Sequence, residues 1–496
     1  MSVKTKSRQM LRTRPVTKIL AIILSFSVVW LLEAQAPPGG TNAPPAQDYG
    51  VRGGQPDAGQ PFSNLSTAEN NAFNDGQGRF EQIESVSTAP NLGLGPTFNA
   101  QSCATCHQQP AFGGSSPAQN PQIAQAPPGQ TIPSFLTPDG PVVEARFQFF
   151  LMNTNPPSLS TVRDGGVHDL FTITGLNGAT GCNYAQPPFA TEENLGNVSL
   201  RIPTPVFGLG LIETITEETI IQNMNASSAR KQSLGIAGVP NRSGNDGTIT
   251  RFGWKAQNKS GQIFSGEAYN VEMGITNEQF PNERGNSPYQ NAANDPPNTC
   301  LLNPTPEDAT NFGKSGLQIL SDIVEFSSFM RFLNQPAQDP YNIPGNPTQA
   351  QITNGKTYFE QVGCNMCHTE TLTTGQSSYD SGANQTPFLT DQTATLFSDL
   401  LIHHMGGLAD NIQQGLALGD QFRSAPLWGV GQRIFFLHDG RATPSNGGLL
   451  TAIEDHNLPV PANSNYPPSE AAAVIAAFNA LSNAQQQDIL FFLRSL

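Results

Sequence analysis

Apolar positions concentrate first near the N-terminus, where residues 19–32 are apolar almost without interruption and a basic stretch (Lys4, Lys6, Arg8, Arg12, Arg14, Lys18) precedes them. With the small residues Ala34-Gln35-Ala36 behind it, this is the pattern of a secretory signal peptide over residues 1–36. The competing reading is an uncleaved membrane anchor; the apolar run is short for a span, whereas Pro37 is a poor residue to follow a cut. Either reading places the folded part outside the cytoplasm, in the periplasm or otherwise exported. No later apolar stretch is long enough to span a membrane.

Farther along, residues 205–224 and 314–334 space their apolar side chains near i, i+3, i+4, which predicts amphipathic helices. The C-terminal stretch 483–496 does the same, with Ile489, Leu490, Phe492 and Leu493 on one side. Residues 37–65 are rich in Pro, Gly and Gln and predict a flexible leader. Residues 239–300 are dense in Gly, Asn and Pro and predict mostly loop. The four prolines of 335–350 predict a linker, with a helical pattern over 354–362 beyond it. The organisation expected is therefore a signal (1–36), a leader (37–65), and domains at 66–340 and 346–496. No repeat of 20 to 50 residues is visible.

Composition adds sign and chemistry. Only 13% of residues are charged, against 41 Pro and 47 Gly, so the chain should be loop-rich. Removing residues 1–36 takes away six basic residues and one acid, which moves the net charge from −14 to −19. Such a surface argues against nucleic acid or anionic lipid as a partner and favours a basic redox partner.

The six cysteines sort into two C-x-x-C-H units, Cys103/Cys106/His107 and Cys364/Cys367/His368, plus Cys182 and Cys300. In an oxidising compartment the last two would most simply form a disulfide, the alternative being two buried thiols. A haem held covalently needs two thiols for thioether links and an imidazole immediately after as axial ligand, and both units meet that demand. The alternative, one zinc ion on four thiolates, leaves both histidines unexplained and requires pairs more than 250 residues apart to converge. Two covalently bound haem c groups are thus expected. His168, His403, His404, His438, His456, Met273 and Met405 remain as candidate sixth ligands, and spacing does not choose among them.

The segments G-L-G-P-T-F-N-A-Q-S-C-A-T-C-H (93–107), R-F-G-W-K-A (251–256), Y-N-V-E-M-G-I-T (269–276), S-D-L-L-I-H-H-M-G (398–406) and P-L-W-G-V-G-Q-R-I-F-F-L-H-D-G-R-A (426–442) together resemble the bacterial di-haem oxidoreductases described as peroxidases. More distantly the chain is similar to di-haem cytochrome c peroxidases and to MauG. The resemblance runs from about residue 80 to the C-terminus and implies a mainly α fold, with two cytochrome c-like haem domains, the first enlarged by long loops and a few short strands.

By position, the resemblance places Glu272 where the peroxidases carry an acidic residue beside the open face of the N-terminal haem, and Gln262 at the spacing of that pocket's glutamine. Splitting a peroxide O–O bond needs a base that takes a proton from one oxygen and returns it to the other, which suits a carboxylate there. In many such peroxidases a histidine after the first motif blocks that face. Residues 108–130 contain none, so the face is expected to be open unless His168 reaches it from a distant loop. For the C-terminal haem the resemblance implies His456 as sixth ligand if residues 443–448 hold a small insertion, with Met405 and His403 as runners-up. His438 and Arg441 would brace that pocket. Trp254 is either an electron relay between the haems or a plain core residue.

The activity implied is reduction of hydrogen peroxide or another small oxidant at the N-terminal haem, with electrons entering through the C-terminal haem from a small c-type cytochrome or cupredoxin. Two alternatives stand beside it: MauG-like or oxygenase-like oxidation of an organic or protein substrate, and non-catalytic electron carriage. The resemblance also raises a calcium ion between the domains.

Overall fold

The computed structural model describes residues 43–56, 58–88, 91–284, 299–303, 305–308, 321–376, 388–462 and 464–496. The expected signal peptide and the start of the predicted 314–334 helix lie outside them. No helix among the described residues is long and apolar enough to cross a membrane.

Each C-x-x-C-H unit sits beside a pair of helices in close contact. Thr67–Glu81 packs on Asp322–Phe332, and Gln349–Val362 packs on Asn483–Ser495. Three of these four helices begin with a reciprocal cap, Ser66 with Glu69, Thr348 with Gln351 and Ser482 with Gln485, which satisfies backbone donors that no helical carbonyl reaches. Both pairs cross at a glycine. A Cβ on Gly76 would overlap the carbonyl oxygen of Glu325, and one on Gly355 would overlap that of Asp488. The C-terminal helix buries Ile489, Leu490, Phe492 and Leu493, as its spacing predicts.

The mainly α expectation is corrected to a mixed architecture. Twelve helices and thirteen strands of two to six residues are present among the described residues, the strands forming six small antiparallel sheets. Frequent Pro and Gly leave runs too short for several helical turns but long enough for paired strands. The sheet that matters for function has Glu144–Phe147 at its centre, between Val167–His168 and Val198–Arg201. Side chains alternate across it, so Ala145 and Phe147 enter the hydrophobic core while Glu144 and Arg146 face a cavity.

Three other expectations change. Residues 43–65 are not a flexible leader: Arg494 Nε donates to Asp48 Oδ1 at 2.8 Å, Arg52 is buried, and Asn483 Nδ2 donates to the carbonyl of Ala43. Within 239–300 a helix, Gly261–Met273, replaces the expected loop; Ser260 caps its start, and Gly274, with φ of +70°, ends it. The predicted 205–224 helix breaks into Leu209–Thr214 and Glu217–Asn225, because Thr216 turns extended and caps the second. Cys182 and Cys300 are disulfide-bonded, the simplest expectation.

One large hydrophobic cluster carries Phe80, Phe147, Phe326 and Trp254 together with Leu372, Trp428 and Phe435 from beyond the proline-rich stretch. A smaller one gathers Phe359, Phe436, Phe478 and Phe492. Each borders one of two cavities.

Candidate functional site

The first cavity is lined by Cys103, Cys106, His107, Glu144, Arg146 and Glu272 among others. A single helical turn, Cys103–Cys106, presents both thiols, and neither is oxidised. The Nδ1 of His107 lies 2.9 Å from the carbonyl oxygen of Gly114. Carrying its proton there, the ring keeps the Nε2 lone pair free for a ligand bond, the orientation device common around metal-bound histidines. Burial pushes His107 down to about 4, so it is neutral at physiological pH.

The same cavity is lined by a pair of carboxyl groups. Glu272 occupies the last turn of Gly261–Met273, where Asn99 Nδ2 donates to its Oε2 at 2.8 Å and Asn99 N–H donates to its backbone carbonyl at 2.7 Å. Glu144 receives Arg146 Nε at 2.6 Å and hydrogen-bonds the Glu272 carboxyl. Ionised carboxylates only accept, so two of them in contact must share a proton. Burial first, and the Glu144 charge second, hold Glu272 well above the usual carboxylate range. Burial would raise Glu144 too, but Arg146, the bond from Glu272 and Arg201 outweigh it and keep it below that range. The proton therefore rests on Glu272 and the charge on Glu144.

Gln262 is not in this wall. It lies in the first turn of the same helix, ten residues and so about 15 Å along the axis from Glu272, and is not among the lining residues. Gln257, just before the helix, lines the cavity instead. His168 does not reach the cavity: its Nε2 sits 3.0 Å from Asp164 Oδ2, and its ring stacks on Phe147 at 4.0 Å. Among the described lining residues His107 is the one histidine, with Met273 and Met330 also in the wall.

The second cavity is lined by Cys364, Cys367, His368, His403, Met405 and His456 among others. His368 Nδ1 lies 2.9 Å from the Phe397 carbonyl oxygen, and His456 Nδ1 lies 2.6 Å from that of Ala452. Both rings thus copy the arrangement of His107 and keep Nε2 free. Burial brings His368 down to about 4 and lowers His456 as well. His403 differs, because Nδ1 meets Glu470 at 2.8 Å and Nε2 meets Asp399 at 3.1 Å. With both nitrogens on carboxylates it is a buried imidazolium with no lone pair to offer. Met405 lines the same cavity, and His404 is taken up by Asp420 and Gln421. His438 stacks on Phe422 at 4.2 Å and is kept neutral, at about 4, by burial. Arg441 pairs with Asp439 and stays outside the wall.

Trp254 belongs to the walls of both cavities. Its indole Nε1 donates to the Ile202 carbonyl at 2.8 Å, and its own carbonyl accepts from Arg423 N–H at 2.8 Å.

Glu144, Arg146, Gln257 and Arg433 are site residues that the sequence did not single out. For the first two the signal was present, since an E-A-R triplet in a strand puts both charges on one face. Among the described residues no group of three or more His, Cys, Asp or Glu is arranged to hold a metal ion, so no such cluster answers the calcium that the resemblance raised.

A family model described as "Di-haem oxidoreductase, putative peroxidase" matches residues 191–496. The match takes in Trp254, Glu272 and the second C-x-x-C-H unit and begins after the first. Among solved structures the chain is similar to one titled "Crystal structure of a MauG-like protein associated with microbial copper homeostasis", with 14% identity and a TM-score of 0.29 over 59% of this chain and 90% of that one, too slight a likeness to carry an argument. No curated protein matches the sequence.

Proposed function

Because the chain belongs to the di-haem oxidoreductase family, we propose that this oxidoreductase is an exported c-type enzyme that reduces hydrogen peroxide, or a related small oxidant, in the His107 cavity. The residues present fit the cofactor. Each cavity has two unoxidised thiols and a neutral histidine whose Nδ1 faces a backbone carbonyl, in a mostly apolar enclosure. Cys103 and Cys106 would hold one haem by thioether links with His107 as ligand, and Cys364 and Cys367 would hold the other with His368. The haems, when bound, supply one-electron redox chemistry.

The remaining work falls to side chains. Reducing hydrogen peroxide to two waters consumes two electrons and two protons. The shared proton of the Glu144–Glu272 pair is available at the cavity wall, and the charge on Glu144 lets the pair accept a proton and pass it on. Asn99 fixes the Glu272 carboxyl, and Arg146 keeps Glu144 ionised. In the second cavity His456, with its free Nε2, is the sixth ligand this reading favours over Met405, and His403 is unavailable. Trp254, shared by the two walls, is the side chain an electron travelling between them would meet. The disulfide fits an oxidising compartment, and the acidic surface fits a basic patch on a small c-type cytochrome or cupredoxin donor.

The observation that carries this reading is that Glu144 and Glu272 line the same cavity as His107, with no second histidine among its described lining residues. Peroxide consumption by purified holoprotein, supplied with a reduced small c-type cytochrome or cupredoxin, tests it. Turnover is expected; a protein with both haems that consumes no peroxide with either donor contradicts it.

A further inference from the structure

Two guanidinium groups in the wall of the second cavity have no acid partner. Arg433 is 5% exposed, and its Nε and one Nη find no hydrogen-bond partner. Arg423, 8% exposed, gives its Nε to the Gly253 carbonyl at 3.0 Å and meets no carboxylate among the described residues. Five other buried arginines are neutralised, Arg52 by Asp339, Arg146 by Glu144, Arg201 by Asp410, Arg331 by Glu213 and Arg494 by Asp48, and Arg251 spends its guanidinium on the carbonyls of Ile212, Glu213 and Ile215. The one carboxylate in this wall, Glu470, is committed to His403. Burial alone pulls both Arg423 and Arg433 down to about 10, with no opposing charge to offset it. An isolated buried cation is costly, so the cavity is built for an occupant that brings negative charge.

We infer that Arg423 and Arg433 are the counter-ions of the two propionate groups of the porphyrin in the His368 cavity, and that they set how readily that haem is reduced. This rests on the reading that a haem is bound there. The numbers of charges match, two guanidiniums to two carboxylates, and the planar fork of arginine suits a carboxylate. A fixed cation beside the cofactor favours its more negative, reduced state, so loss of either arginine makes reduction harder.

The test uses holoprotein with Arg433→Gln, Arg423→Gln and, as a charge-retaining control should a glutamine variant fail to fold, Arg433→Lys. Midpoint potentials of both haems and the propionate-bending bands in resonance Raman are measured. In the glutamine variants the potential of the His368 haem should fall by at least a tenfold change in its reduction equilibrium, 59 mV for a one-electron couple, and its propionate bands should shift. The His107 haem should be unchanged. Arg433→Lys should stay within the tenfold window yet shift the bands, since lysine keeps the charge and loses the fork. Glutamine variants with wild-type potentials and bands overturn the inference. A fallen potential with unmoved bands overturns it too, because the arginines then hold a free anion. A wild-type mass that lacks the second haem removes the functional reading itself, a different and distinguishable failure.

Discussion

Trp254 and His438 meet edge to face, their ring centroids 6.4 Å apart and their planes at 74°, with Trp254 in the wall of both cavities. The indole is fixed by its bond to the Ile202 carbonyl, while Ile202 N–H donates to the carbonyl of His438 at 2.8 Å. One backbone unit therefore holds both rings. Replacing Trp254 with Phe removes that bond and shortens the aromatic bridge, which should slow peroxide turnover about tenfold or more, with both haems retained. Stopped-flow measurement of electron transfer between the haems checks this, and unchanged kinetics would return Trp254 to a packing role.

The carboxyl pair makes a prediction with a sign. Glu272→Gln should lower kcat by about a hundredfold or more, the usual scale for losing a positioned acid–base group. Glu144→Gln takes away the like charge that helps hold the Glu272 proton, so Glu272 should ionise at lower pH. The alkaline limb of the kcat profile should move toward acid in that variant. It should also be about 3 kcal/mol less stable, because Arg146 then stays buried without its partner.

Asp410 ties a strand of the first half to the second. It receives Arg201 at 2.6 Å and Lys255 at 3.1 Å, all three side chains being buried. Burial would raise its pKa, but Arg201 and Lys255 outweigh it and bring it down to about 2. A carboxylate depressed in this way stabilises the fold fully above its unfolded pKa of about 4, and that stability fades as the pH falls through about 2. Asp410→Asn should cost about 3 kcal/mol or more at pH 7. In urea titrations from pH 5 to 2 the variant should show less acid-induced loss than wild type.

Gly355→Ala should destabilise by about 1–3 kcal/mol, since the new methyl group would overlap the Asp488 carbonyl where the two C-terminal helices cross. The check is Tm by calorimetry, and an unchanged Tm would mean that these helices can slide apart at no cost.

What could be read from the sequence was what is local. Both C-x-x-C-H units, the apolar face of the last helix and the aligned position of Glu272 lie within a few residues of the signals that mark them. Partnerships made by distant segments left no such trace. Asp48 with Arg494, Glu144 with Glu272 and Trp254 with His438 are each joined only by folding, which is why a leader expected to be loose is packed and why Glu144 went unnoticed. Gln262 was misplaced for a related reason. Without the helix Gly261–Met273, which lies in a stretch dense in Gly and Asn, a ten-residue spacing does not say that the two side chains stand about 15 Å apart along one axis.

The two cavities differ in their histidines: His107 is the one among the described lining residues of the first, whereas His456 lines the second together with His368 and is its proposed sixth ligand. EPR of the resting ferric holoprotein measures this directly. One high-spin signal and one low-spin bis-imidazole signal in equal amounts are expected; two low-spin signals, or two high-spin ones, would overturn the proposed ligation of the two haems.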